Sequence, residues 1–361
     1  MIPIAQPIIE NNEINAVVEV LKSGVIAQGP KVKEFESAFS EYIGTEYAIA
    51  VSSGTSALHI SLLAHGIGSG DEVITTPFTF IATANSILFT GATPVFADIS
   101  EDTYNIDPDC ILEKITPKTK AILPVHLYGQ SAEMSAIMDL AEDHNLIVVE
   151  DACQAHGSEY NTKKVGSFAT GCFSFYPTKN IATGEGGMIT TNDPEINKKT
   201  KMIRDHGSKE RYLHEILGFN LRMTDISAAI GLAQLKKLDT FNKTRQENAK
   251  YLTNKLKHIK GIITPFIKDN CKHVFHQYTI RVTEDFGISR DQLVKILNNK
   301  GIGTGVYYPI PINKQPLYQK LGYKDNIPIS EKVAKQVISL PIHPKITKKD
   351  LDYISEIIKK L

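Results

Sequence analysis

The feature that most constrains the fold is an alternation. Five short runs rich in β-branched residues, EYAIAVSS (46–53), DEVITT (71–76), TPVFADI (93–99), TKAILPVH (119–126) and NLIVVEDA (145–152), are separated by stretches with helical periodicity. Strands alternating with helices build a mostly parallel sheet covered on both faces, because each crossover lays a helix on the sheet. GMITT (187–191) follows, then a stretch from roughly 224 to 257 whose only glycine is Gly231 and which has no proline, so it reads as long helix. Beyond about residue 265 the pattern changes: HVFHQYTIRV (273–282) reads as a strand, SRDQLVKILNNKG (289–301) as a helix and KDLDYISEIIKKL (349–361) as a closing helix. The expectation is an α/β chain with a large domain over 1–260, including an N-terminal segment and the long connecting helix. A smaller C-terminal α+β domain would occupy 261–361.

Composition narrows the function classes. With 361 residues, 42% of them hydrophobic, the chain can bury a large core. Lysine plus arginine total 40 and aspartate plus glutamate total 40, so no net field favours nucleic acid or an anionic membrane. The opening MIPIAQPIIENNEINAVVEVL has acidic and polar residues where a signal peptide needs a basic start and an apolar core. No apolar run approaches the ~18 residues of a membrane span. Cys110, Cys153, Cys172 and Cys271 lack CxxC spacing, which argues against a zinc site and a disulfide scaffold alike. The expected setting is a reducing cytoplasm, with neither metal nor nucleic acid nor membrane as partner.

Ligands of open parallel sheets sit at the carboxyl ends of the strands. VSSGTSALHI (51–60) follows a strand and opens a helix, so its Ser53-Gly54-Thr55 turn is either an ordinary N-cap or a phosphate site at a helix N-terminus. GIGSGDEV (66–73) mimics a dinucleotide fingerprint but follows a helix and precedes a strand, the reverse of the required order, and reads as a helix-ending turn. VVEDACQAHG (148–157) ends the most apolar strand with Glu150 and Asp151, of which only one can face the ligand side. Asp151 either caps the next helix or meets a cation such as a protonated pyridine nitrogen. Phe78 and Phe80 in PFTFIATAN (77–85) are either core residues or a stacking surface for a flat cofactor. CFSFYPTKNIATGEGG (172–187) places Lys179 between an aromatic run and a glycine turn, a setting that suits a lysine held for covalent chemistry. A phosphate cradle, a stacking ring, a strand-end aspartate and a held lysine are together the parts that bind pyridoxal 5′-phosphate as a Schiff base.

The order SGTSAL, TFIATAN, EDACQAHG, SFYPTKNIATGEGG and GFNLRMTDISAAIGLAQL strongly resembles the DegT/DnrJ/EryC1/StrS family of nucleotide-sugar aminotransferases, of aspartate-aminotransferase fold. TYNIDP (103–108), PVHLYGQSAEM (124–134), YYPIPINKQPLY (307–318) and SLPIHP (339–344) extend the resemblance over nearly the whole chain. It implies that the large domain binds pyridoxal 5′-phosphate, with the pyridoxamine form as intermediate. Lys179 would carry the Schiff base and act as the base, Asp151 would keep the ring nitrogen protonated, Gln154 would meet the 3-oxygen and Phe80 would cover one ring face. Gly54, Thr55 and Ser174 would bind the phosphate, joined by Asn220 from the neighbouring subunit of a homodimer with shared active sites. Glutamate would donate the amino group, and a keto group of a nucleotide-linked sugar would receive it. Ser227 stands where many relatives have Gln, and Tyr307 where many have His, which leaves the chemistry intact and bears on the sugar contacts.

Several residues keep two readings. Arg222, Tyr307 and Tyr308 could grip an anionic or hydroxylated substrate, while Arg222 could equally pin a loop. Asn313-Lys314-Gln315 resembles the form found in members that aminate C3 of UDP-linked 2-acetamido-3-keto sugars, although Lys314 could equally be a solvated loop residue. His273 and His276, three apart on an expected strand, would face opposite sides, which argues against a metal pair. His156 and His206 read as structural hydrogen-bonding residues. Related dehydratases keep the pyridoxamine form but replace the lysine with histidine, so Lys179 argues against that chemistry. A non-catalytic regulator would need a DNA-reading segment, and none is visible.

Overall fold

The computed structural model describes residues 1–361. A seven-stranded sheet dominates it, built from β1 (Tyr47–Val51), β2 (Glu72–Thr75), β3 (Thr93–Phe96), β4 (Thr119–Leu123), β5 (Ile147–Asp151), β6 (Thr170–Ser174) and β7 (Gly187–Thr191). The spatial order is β1-β7-β6-β5-β4-β2-β3. Strand β7 runs antiparallel to both β1 and β6, and every other neighbouring pair is parallel. Burial on both faces explains the nearly continuous apolar strands, such as Ala48, Ile49, Ala50 and Val51 in β1, all buried.

Helices cover both faces. The helix Gly54–Ala64 packs Ala57, Leu58, Ile60 and Leu62 into one core layer with Ile49, Val149 and Ile189. On the other face, the helix Pro30–Ile43 turns Val32, Phe35, Phe39 and Ile43 inward at helical spacing, where Phe39 meets Phe173 edge-on with ring centroids 5.0 Å apart. GIGSGDEV lies between that first helix and β2, with Gly66 and Gly70 at positive φ.

A second core belongs to an antiparallel sheet of β8 (Ile262–Ile263), β9 (Tyr278–Val282) and β10 (Val337–Leu340), in the order β8-β9-β10. The helices Arg290–Asn299 and Lys348–Lys359 cover it, each opened by a capping box, Ser289 with Gln292 and Thr347 with Asp350. No helix is long and apolar enough to cross a membrane.

Two sequence expectations change. The stretch 224–257 is two helices, Asp225–Leu235 and Leu238–Leu256. They part where Lys237 reaches the buried Glu13 at 2.8 Å and Glu10 at 3.0 Å. Past the break the second helix joins the large-sheet core through Leu238 and Phe241, then the second core through Ala249, Leu252 and Leu256. In HVFHQYTIRV the ladder begins only at Tyr278, because Phe275 adopts φ 46° and the His273 ring accepts a hydrogen bond from the Phe275 amide at 2.9 Å. His273 and His276 are therefore not strand neighbours of opposite facing, and His276 turns toward the large cavity at the strand ends.

Candidate active site

A cavity of about 660 Å³ opens at the carboxyl ends of β1, β5 and β6. Gly54, Thr55, Phe80, Asp151, Gln154, Ser174, Lys179, Tyr307 and Tyr308 all line it. The residues of the large sheet meet there because parallel strands carry their ends to one edge, and Tyr307 and Tyr308 join them from an irregular segment outside that sheet.

One end is a helix N-terminus. Ser53, extended at φ −165°, accepts a hydrogen bond from the Ser56 amide on its Oγ at 3.1 Å and from the Ala57 amide on its carbonyl at 3.0 Å. The amides of Gly54 and Thr55 lie ahead of those bonds, at the positive end of the helix dipole. Close approach makes glycine necessary at two positions. A Cβ on Gly54 would stand 2.6 Å from Ser174 Cβ, and one on Gly187 would stand 2.3 Å from the Ser53 carbonyl oxygen.

The strand-end acids divide as the pleat requires. Asp151, 4% exposed, lines the cavity, with Oδ2 accepting from Thr83 Oγ1 at 2.8 Å and Oδ1 accepting from the Cys153 amide at 3.2 Å. No helix comes directly after it, so its capping is confined to a turn. Glu150 points to the other face, where it accepts from the Gly166 and Ala169 amides at 2.7 and 2.9 Å and pairs with His126 at 3.0 Å.

Lys179 sits in the loop between β6 and β7. Its amide bonds the Tyr176 carbonyl at 2.8 Å, and the Phe175 amide and carbonyl engage Gly186 and Thr183, so the glycine turn folds back over the strand end. The neighbouring Asn180 is anchored by donating to Asn242 Oδ1 at 2.7 Å and to the Val274 carbonyl at 3.0 Å. Desolvation lowers the Lys179 pKa below that of an ordinary lysine, and the opposing pull of Cys153 and Asp151 only partly offsets it. The result is an amine more available as a free base than a surface lysine.

The remaining sequence candidates separate into two groups. Gln154 is buried, accepts from the Tyr128 amide at 3.1 Å and donates to Tyr308 Oη at 3.2 Å. Phe80 keeps 56% of its surface exposed and tilts against Tyr308 at 6.2 Å. Asn220, Arg222 and Lys314 lie outside the cavity. Asn220 is exposed. Arg222 pairs with Asp205 at 2.6 Å, which is the loop-pinning arrangement, and Lys314 pairs with Glu331 at 3.1 Å. His156 packs against Phe173 and Phe175 with no hydrogen-bond partner on either ring nitrogen, so its place is that of a buried ring rather than the hydrogen-bonding residue expected. Sequence reasoning missed Thr83, Cys153 and His276. The TFIATAN string contained Thr83, but its reach to Asp151 is a long-range contact with no local signature.

These residues fit pyridoxal 5′-phosphate. The Gly54–Thr55 amides suit a phosphate, the buried Asp151 carboxylate suits a protonated ring nitrogen, and the Lys179 amine suits the aldehyde. The space beside Gly54 is kept free by the missing Cβ.

Comparison with known proteins agrees with this chemistry. The model of the DegT/DnrJ/EryC1/StrS aminotransferase family matches residues 7–359. GDP-perosamine synthase of Caulobacter vibrioides is 42% identical over 98% of this chain and 96% of its own. UDP-2-acetamido-2-deoxy-3-oxo-D-glucuronate aminotransferase of Pseudomonas aeruginosa is 41% identical over 92% of this chain and 91% of its own. The PLP form of Spr1654 from Streptococcus pneumoniae superimposes with a TM-score of 0.92 at 31% identity, covering 99% of this chain and 98% of that one. The chain therefore belongs to the DegT/DnrJ/EryC1/StrS aminotransferase family, whose enzymes work with pyridoxal 5′-phosphate.

Proposed function

We propose that this sugar aminotransferase moves an amino group from glutamate to the keto group of a UDP-linked 2-acetamido-keto-sugar, at C3 in preference to C4. The observation that carries the aminotransferase chemistry is the meeting of Lys179, its pKa lowered by desolvation, with Asp151 and the Gly54–Thr55 amides in one cavity. Bound there, pyridoxal 5′-phosphate supplies an aldehyde that takes up the amino group and a conjugated ring that accepts the electrons left behind when a substrate proton departs. Lys179 Nζ holds that proton and returns it. Asp151 keeps the ring nitrogen charged, itself held in place by Thr83 and the Cys153 amide. Gly54, Thr55 and Ser174 grip the phosphate, Gln154 and Phe80 position the ring, and Tyr307 and Tyr308, which also line the cavity, contact the substrate.

The exposure of Asn220, outside this chain's own cavity, supports its use by the partner in a homodimer with shared sites. A core separate from those of the large sheet supports a small C-terminal domain, proposed as 261–361 beside a large cofactor-binding domain over 1–260, and the connecting helix already feeds that core with Ala249, Leu252 and Leu256. The substrate rests on the relative acting on a UDP-2-acetamido-3-oxo sugar and on the Asn313-Lys314-Gln315 string. Lys314 would have to exchange Glu331 for substrate to take part directly. The relative named GDP-perosamine synthase favours a second reading, a GDP- or dTDP-linked 4-keto-6-deoxy acceptor. Incubating the protein with glutamate and a panel of nucleotide keto-sugars, with products identified by mass spectrometry and NMR, separates the two. Turnover of the UDP-2-acetamido-3-keto sugar is expected, and turnover of a 4-keto-6-deoxy sugar alone would refute the substrate assignment.

A further inference from the structure

The hydrogen bonds behind Asp151 run in one direction. Thr83, 1% exposed, donates its hydroxyl to Asp151 Oδ2 at 2.8 Å, and the hydroxyl of Thr79, 3% exposed, stands 3.1 Å from that of Thr83. A hydroxyl carries one proton, and an ionised carboxylate can only accept. The Thr83 proton is therefore spent on Asp151, and Thr79 must be the donor in the second contact. The order Thr79 to Thr83 to Asp151 is thereby fixed.

Neither threonine takes the role usual for its type. Both flank the start of the helix Ala82–Phe89, where a threonine commonly caps the helix or bonds back to a carbonyl one turn earlier. Here Ile81 occupies the N-cap position with no side-chain hydrogen bond, and the two hydroxyls meet each other and Asp151 instead. The other carboxylate oxygen, Oδ1, accepts from the Cys153 amide. All these donors are neutral. A lysine or arginine in their place would cancel the charge of the carboxylate, whereas hydroxyls and an amide hold it and leave the charge for a cation on the cavity side.

We propose that Thr79 and Thr83 are positioning residues that act through Asp151: their relay favours the charged carboxylate, so that a proton shared with the ring nitrogen of the cofactor stays on the nitrogen. The proposal rests on the reading of Asp151 as the partner of that nitrogen and adds what sets the strength of the pair. A hydrogen bond donated to a carboxylate favours its ionised form. A donor that itself receives a hydrogen bond is polarised and donates more strongly. Thr79 thus reinforces Thr83 and has no effect without it.

The test titrates the full apo-protein with two probes, pyridoxal 5′-phosphate and its 1-deaza analogue, in which carbon replaces the ring nitrogen. Both carry the aldehyde and the phosphate, so the ratio of their dissociation constants reports the interaction with the nitrogen alone. Thr83→Val removes the hydroxyl and keeps the shape. It is expected to cut the preference for the nitrogen-containing cofactor by about tenfold or more, the loss typical of a hydrogen bond to a charged group. Thr83→Ser should keep that preference. Thr79→Val should cut it by about twofold, and the double valine variant should match Thr83→Val alone, because Thr79 acts only through Thr83. The ring-nitrogen resonance of bound, isotope-labelled cofactor should move toward its unprotonated position in the same order. Where Thr83→Val folds poorly, Thr79→Val against Thr79→Ser decides: a lowered preference that serine restores is expected. Equal weakening of both probes, which a merely structural role would give, no change in the ratio, or additive effects of the two valines would overturn the proposal. Equal affinity of the unmodified protein for both probes would instead overturn the reading of Asp151 as the partner of the ring nitrogen.

Discussion

Replacing Gly54 by alanine tests whether the phosphate turn is as tight as the structure makes it. The added Cβ would lie 2.6 Å from Ser174 Cβ, 3.0 Å from Cys153 Sγ and 3.1 Å from Ser174 Oγ. Ordinary contact starts near 3.4 Å, so the helix start or the end of β6 must shift by about 0.8 Å. Ser174 Cβ is tied directly to the backbone of β6, so the strain cannot be relieved by rotating a side chain. Overpacking of this kind costs about 1–3 kcal/mol, more than the ~1 kcal/mol that alanine can gain over glycine in a helix. The displaced residues adjoin Asp151 and precede Lys179, so the cost falls on cofactor binding. At 1.4 kcal/mol per tenfold, the dissociation constant for pyridoxal 5′-phosphate should rise by about 5- to 150-fold. Titration of apo-protein, followed by the visible absorbance of the bound cofactor, measures this. Gly68→Ala serves as the control, because its Cβ would meet nothing nearer than 3.9 Å. Gly54→Ala protein with unchanged cofactor affinity and unchanged Tm would refute the reasoning.

Lys179 should react as an amine of lowered pKa: in apo-protein, reductive labelling by pyridoxal phosphate and borohydride should select it and reach half-maximum at a lower pH than labelling of surface lysines. Labelling of another lysine first, or the same pH midpoint for all, would contradict this, and Lys179→Ala should lose transamination while still binding cofactor without covalent attachment. Mixing Lys179→Ala chains with an impaired Asn220→Ala variant should restore activity, because one site in each heterodimer receives both intact residues; no recovery after verified subunit exchange would refute the shared site.

Legibility in the sequence followed the range of the interactions. The β-branched runs foretold β1 to β5, and Ser53 foretold the start of the helix Gly54–Ala64, because pleat and cap are local effects. The break before Leu238 has no glycine or proline to announce it, and beside it Lys237 meets Glu10 and Glu13, residues more than two hundred positions away. The same holds for Thr83 with Asp151. The strand expected at His273 failed because one residue, Phe275, takes a positive φ that its type disfavours, and alternation cannot report that. Arg222 left two equal readings, a substrate grip or a loop pin, and its partner Asp205 became visible only once the chain had folded.

The antiparallel β7 has a consequence for biosynthesis. It is the only link between β1 and the rest of the large sheet, pairing Tyr47 with Thr191 on one side and Ser174 with Gly187 on the other. While the ribosome works from Tyr47 to Thr191, at roughly 5–20 residues per second, β1 stays unpaired for about 7–30 s, whereas the edge of β6 waits only about 1–3 s from Ser174 onward. Strand β1 waits the longest, and it is almost wholly apolar. The turn that precedes β7 also carries Lys179, so the strand that closes the sheet and the lysine that lines the cavity leave the ribosome together.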